Sequence, residues 1–335
     1  MRKITPQKCV LLLVLALPLV ILLAISLGAV HFSIADILGL SEETPAHISI
    51  IIWDIRLPRA LLAVCVGGIL AISGAIMQGL FRNPLADPSL IGVTAGASLG
   101  ASIVIVFFAA TSSQILGLPL ISLGAFLGGA LAVLWVYRLS YSPYGVSVAT
   151  MLLAGIAITA LAGSLSSFLV FYADNELLRR ISIWQMGGLD GATMTMVSVA
   201  FVSLLILCVI FFRFSQAFNA FLLGESEARH LGIATEKIKI VSIVLVAAGV
   251  GIAVALAGTI AFVGLVVPHM IRLLIGPDHK YLFISSALAG GLLLCIADIA
   301  ARVLLAPVEL PVGLLTALIG VPFFVALLRQ RPFLR

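Results

Sequence analysis

Residues 56–88 read RLPRALLAVCVGGILAISGAIMQGLFRNPLADP. Between Arg59 and Arg82 the chain carries 22 residues without a single charge. At about 1.5 Å per residue, a helix of that length covers the roughly 30 Å of hydrocarbon in a bilayer. Apolar residues occupy every side of the run, so it lacks the single stripe of a soluble amphipathic helix. The exit is equally legible. Pro84 has no amide hydrogen and drives Asn83 out of the helical region, so Asn83-Pro84-Leu85 forms a non-helical segment just past the second arginine.

On either side of this run the same pattern repeats. Of the 335 residues, 62% are hydrophobic and 10% charged, with a mean hydropathy of +1.26. Soluble domains carry about a quarter charged residues. Ten spans are expected, at about 9–30, 60–80, 91–109, 117–138, 147–171, 192–213, 238–257, 259–275, 282–305 and 312–329. The fold class is therefore an all-α polytopic membrane protein with one transmembrane domain over 1–335. The first run is too long for a signal-peptide core and is read as an uncleaved span. The net charge of +5 is spread thinly at block ends, which follows membrane topology rather than a nucleic-acid surface. With both termini cytoplasmic, 14 of the 19 Lys and Arg fall inside; Arg56, Arg59, Arg179, Arg180 and Arg302 fall outside.

Glycines at helical spacing mark close helix contacts in lipid: Gly92, Gly96 and Gly100 in the third span, Gly124 and Gly128 in the fourth. Cys9, Cys65, Cys208 and Cys295 lie in apolar blocks with no CxxC, and read as small hydrophobic residues. His31, His47, His230, His269 and His279 are scattered over both sides. No Gly-Lys dipeptide occurs, so this sequence has no P-loop phosphate cradle. No span has an acid near its centre; Asp298, toward the outer end of the ninth, has Arg302 one turn away. With neither an ATPase motif nor an ion relay, uphill transport calls for energy from another subunit. An ion-coupled secondary transporter is the alternative of another class.

An ordered set of motifs carries a resemblance: Arg56-Leu57-Pro58-Arg59, Gly74 to Gln78, Arg82 to Pro88, Gly258 to His269, then Asp298, Arg302, Glu309 to Gly313 and Gly320 to Phe324. Together they resemble the FecCD family, the permease subunits of type II ATP-binding cassette importers for ferric siderophores, haem and vitamin B12, with the nearest likeness to bacterial haemin permeases. The resemblance implies a homodimer in the bacterial inner membrane, two cytoplasmic ATP-hydrolysing subunits and a periplasmic binding protein. It implies no permanently bound cofactor and no catalytic residue; ATP and magnesium are used by the partner. Haem ranks first as cargo, a ferric siderophore second, vitamin B12 third.

The resemblance also implies site residues. Arg56, Arg59 and Arg302 correspond to positions that dock the binding protein; the alternatives are interfacial snorkelling or pairing within the chain. Asn83, Pro84 and Leu85 correspond to a cytoplasmic gate, with Ser142 and Pro143 in a second constriction. Leu223, Gly224, Glu225, Ala228, Arg229, Leu231 and Gly232, within the cytoplasmic segment 214–237, correspond to the ATPase-coupling helix. A weakly polar pore wall is expected from Thr159, Ser164, Ser166, Ser167, Thr193 and Thr195.

Overall fold

A computed structural model describes residues 4–28, 49–108, 114–142 and 145–329. The first external loop with His31 and His47, and Pro143, lie outside the described residues. Among the described residues, seven helices are long and apolar enough to cross a membrane: α1 (Pro6–Ser26), α2 (Leu57–Leu80, extended outward by a π turn, Ile51–Arg56), α4 (Leu120–Ser140), α5 (Val148–Tyr172), α7 (Met194–Phe221), α9 (Thr235–Ala257) and α11 (His279–Val303). Three shorter apolar helices, α3 (Val93–Phe107), α10 (Val263–Ile275) and α12 (Val312–Arg329), complete ten. Each corresponds to an expected span. Among the described residues, two non-spanning helices, α6 (Asn175–Met186) and α8 (Glu225–His230), lie at opposite ends of the bundle.

Several boundaries differ from expectation for local reasons. The second span begins earlier, because the helix passes through Pro58 by widening: the Leu57 amide reaches back five residues to the Ile52 carbonyl. The sixth span runs eight residues beyond 213, into the segment expected to be loop. Its extra turns are held by aromatic packing, Phe218 meeting Phe211, Phe221, Phe283 and the His279 ring edge to face or tilted. The external segment at about 172–190, which the sequence predicts as a loop, contains a helix. Asp174 accepts from the Leu177 amide at 2.8 Å and so starts the amphipathic α6.

The core is built around α2. In its most apolar stretch 89% of residues are buried, against 17% for α1 and for α5, so α2 is the central helix and those two are peripheral. Close backbone crossings make this burial feasible. A Cβ on Gly74 would lie 1.8 Å from the Gly264 carbonyl oxygen, so α2 and α10 touch backbone to backbone. Gly67 and Gly290 bring α2 against α11 in the same way. The glycine grooves read from the sequence pack α3 on α4: Gly100 faces the Gly124 carbonyl and Gly128 the Gly96 carbonyl. Gly92 departs from that groove. It sits at φ +79°, ending the short 3-10 turn Pro88–Ile91 and opening α3.

Candidate transport sites at the two membrane faces

At the external end, Arg59 near the start of α2 donates from Nε to Asp298 on α11 at 2.9 Å and from Nη1 to Glu309 at 2.7 Å. Arg302 meets the other Asp298 oxygen at 3.1 Å, as an ion pair outside hydrogen-bond geometry. The i,i+4 pair expected from the sequence is therefore present. Its second arginine, 239 residues away in the chain, emerges only in three dimensions. Arg302 also donates to the Leu27 and Ala24 carbonyls, and Arg56 to those of Ile25 and Ser26. The last turn of α1 contains no basic residue of its own, so two arginines from other helices satisfy its orphan carbonyls.

The geometry bears on the docking expectation. Arg56, Arg59 and Arg302 are only 6%, 7% and 5% exposed, and all three donate within the chain. That burial favours pairing within the chain over direct contact with a docked protein in this conformation. The exposed member of the cluster is Glu309, whose side chain is 48% exposed. Beside it opens a cavity of about 540 Å³, lined by Arg59, Arg180, Trp184, Asp190, Glu309 and glycine backbone.

The floor of that cavity is a junction of the turns that follow α6 and α9 with the first turn of α12. Gly187, Gly258 and Gly313 approach so closely that a Cβ on Gly313 would lie 2.1 Å from the Met186 carbonyl oxygen. The Gly188 amide donates to Ala257, and the Thr259 hydroxyl to the Gln185 carbonyl. The stretch 258–262 separates α9 from α10, with Gly258 at φ +67° and Phe262 at φ +68°. Broken backbone at membrane depth is tolerated where it is enclosed by protein or borders a cavity, and here it does both.

At the cytoplasmic end, Asn83, Pro84 and Leu85 form a turn in which Asn83 Oδ1 accepts from the Leu85 amide at 3.0 Å. The backbone of Ser142 pairs with Gly145 in a two-residue hairpin. Helix α8 is bracketed by Gly224 at φ +128° and Gly232 at φ +82°. Ala228 is fully buried, while Leu223 and Leu231 are 69% and 64% exposed. This apolar pair stands out from the surface beside four alternating charges. Glu225 bonds Arg229 and Lys239, each at 2.6 Å, and Glu236 bonds the same two cations, each at 3.2 Å. Burial opposes the Glu225 charge, but the hydrogen bonds from Lys239 and Arg229 outweigh it and hold its carboxyl below the usual glutamate range.

The expected polar wall divides. Thr159, Ser164 and Ser167 on α5 are exposed, with Ser164 and Ser167 donating to the carbonyls four residues back. Ser166 faces inward, and Thr193 is the N-cap of α7, accepting from the Met196 amide. Thr159, Gly163 and Ser167 fall at i, i+4 and i+8, and nothing stands within 4 Å of a Cβ built on Gly163.

The FecCD transport family model matches residues 13–330. The chain belongs to the FecCD transport family. Among the FecCD relatives, the hemin transport system permease protein HmuU of Yersinia pestis is 42% identical over 332 residues, covering 98% of each chain. A cobalamin import system permease protein, BtuC, of Halobacterium salinarum is 40% identical, covering 89% of this chain and 79% of its own. The iron(3+)-hydroxamate import permease FhuB of Bacillus subtilis is 39% identical, covering 92% and 79%. In three dimensions, this FecCD chain aligns with a metal-chelate type ABC transporter solved in an inward-facing conformation, with a TM-score of 0.82, 30% identity, and coverage of 98% of this chain and 100% of that one.

Proposed function

We propose that this chain is the permease subunit of an ATP-binding cassette importer that moves haem across the bacterial inner membrane. On this reading two copies line a central path, a periplasmic binding protein delivers the cargo, and two cytoplasmic subunits hydrolyse ATP with magnesium. The observation that carries the haem reading is the 42% identity to HmuU over 98% of both chains. The cobalamin and hydroxamate relatives at 40% and 39% keep the corrinoid and the ferric siderophore as the second reading.

Three features support the division of labour. The exposed Thr159–Gly163–Ser167 face of α5 suits a path wall or a seam with the second copy, since small polar residues are poor lipid-facing side chains. Exposed Leu223 and Leu231, flanking α8, suit a cytoplasmic groove on the ATPase. The Asn83–Leu85 turn and the backbone pairing of Ser142 suit cytoplasmic constrictions. Docking of the binding protein falls on the external rim around Glu309. Direct use of Arg59 there requires its pairing with Glu309 to open.

The test is reconstitution. The chain is purified with its cytoplasmic subunits and binding protein, and uptake into proteoliposomes is measured with haem, ferric hydroxamate and cobalamin, with and without ATP. Saturable ATP-dependent haem uptake is the expected result. Uptake by the chain alone under an ion gradient would refute the importer reading, and ATP-dependent uptake of only another cargo would refute the haem assignment.

A further inference from the structure

The four charges on the cytoplasmic face join two particular elements. Glu225 and Arg229 lie on α8, and Glu236 and Lys239 on the first turns of α9. Each acid meets both bases, so the four form a closed square rather than a single pair. The Lys239 side chain is 8% exposed, although its ammonium lies near the cytoplasmic end of a spanning helix. Arg229 adds a bond from Nε to the Thr235 hydroxyl at 3.0 Å, and the Ile233 amide returns to the Ala228 carbonyl at 3.1 Å. The link between the two helices is therefore short, cross-bonded and ionic.

The contact of α8 with the preceding helix is of another kind. Ala228 of α8 is buried in the apolar core, and among the described residues no ion pair joins α8 to α7. Gly224, at φ +128°, lies between them. Apolar contact is non-directional and tolerates sliding, whereas a charge square holds distance and angle. The far end of α9 matters as much. Its 23 residues, about 35 Å long, end at Gly258 in the glycine junction beneath the external cavity.

We infer that α8 and α9 form one rigid lever, locked by Glu225, Arg229, Glu236 and Lys239, that carries displacement of the cytoplasmic helix to the Gly187–Gly258–Gly313 junction. Gly224 is the pivot at the α7 side. The four charged residues are positioning residues: they need not touch the cargo or ATP, and they determine whether motion at α8 reaches the outer half of the path. The inference rests on the proposed importer function and adds the element within the chain that transmits the stroke.

The experiment uses the reconstituted full complex and two variants, Lys239→Met and Lys239→Arg. Lys239→Met is expected to lower cargo transported per ATP hydrolysed by about fivefold or more, with copurification of the ATPase subunits unchanged. Lys239→Arg, which keeps the charge, is expected to retain the wild-type ratio. In parallel, nitroxide labels at Ser226 and Val244, both exposed, are placed on a background with the four cysteines replaced. Their distance distribution is expected to be narrow in the parent and to broaden in Lys239→Met. A wild-type ratio in Lys239→Met, an equal loss in Lys239→Arg, or an unbroadened distribution each overturns the lever. The label measurement needs no transport, so a failure of the importer reading leaves the lever separately tested.

Discussion

Replacing Asp298 by Asn tests the external cluster most directly. Asp298 is fully buried and lies 2.9 Å from Arg59 Nε and 3.1 Å from Arg302 Nε. Removing one member of a buried pair costs about 3–5 kcal/mol, because the remaining charge is left enclosed. Two compensations operate here: Arg59 keeps Glu309 at 2.7 Å, and Arg302 keeps the carbonyls of Ala24 and Leu27. The expected loss is therefore at the lower end, about 3 kcal/mol. Arg302→Met removes the same ion pair together with both bonds to α1. Hydrogen bonds to charged groups are worth about 1.5–3 kcal/mol each, so it is expected to cost more than Asp298→Asn. Combining the two substitutions removes the shared pair only once, so the double variant is expected to fall short of additivity by about 1–3 kcal/mol. The assay is reversible unfolding in mixed micelles, titrated with denaturing detergent and followed by tryptophan fluorescence. A cost for Asp298→Asn below about 1 kcal/mol, or strict additivity in the double variant, would refute the reasoning.

In Gly74→Ala the new methyl carbon would stand 1.8 Å from the Gly264 carbonyl oxygen, so α2 and α10 must separate, at a cost of about 1–3 kcal/mol in the same assay. Gly163→Ala has open space around it and is expected to be neutral or to gain about 0.5–1 kcal/mol; similar losses in both variants would contradict the crossing. For Glu225 the folded carboxyl titrates below its unfolded value. Its contribution to clamping α8 is thus complete above the ordinary glutamate value of about 4.3 and is lost as pH falls through the lower folded value. The label distances across α8 and α9 should be constant from neutral pH down to about 4.3 and broaden only below it; broadening at higher pH would contradict the pairing.

Much of the architecture was legible because lipid leaves little choice. Uncharged runs near 20 residues become spanning helices, and Pro84 and Gly258 mark true breaks. The Gly96–Gly100 and Gly124–Gly128 spacings anticipated the α3–α4 contact, since only small residues let backbones approach. The amphipathic α6 was missed as an element, although Asp174 and Asn175 were a readable helix start. The extension of α7 to Phe221 was less visible, as it depends on Phe283 and His279 from a helix far along the chain.

The external site separates what each level determines. Residue order alone supplied the family motifs, the spans and the Asp298–Arg302 turn, because periodicity and local spacing are properties of one segment. Only the tertiary structure decided that Arg59 shares Asp298, that Arg56 and Arg302 close the end of α1, and that all three arginines are turned inward. It likewise assembled Glu225, Arg229, Glu236 and Lys239 into a square, and three distant glycines into one junction. The physical reason is that a charge near a membrane face can be satisfied by water, by a partner protein or by another helix. Which of these prevails depends on how the helices pack, and no single segment encodes that.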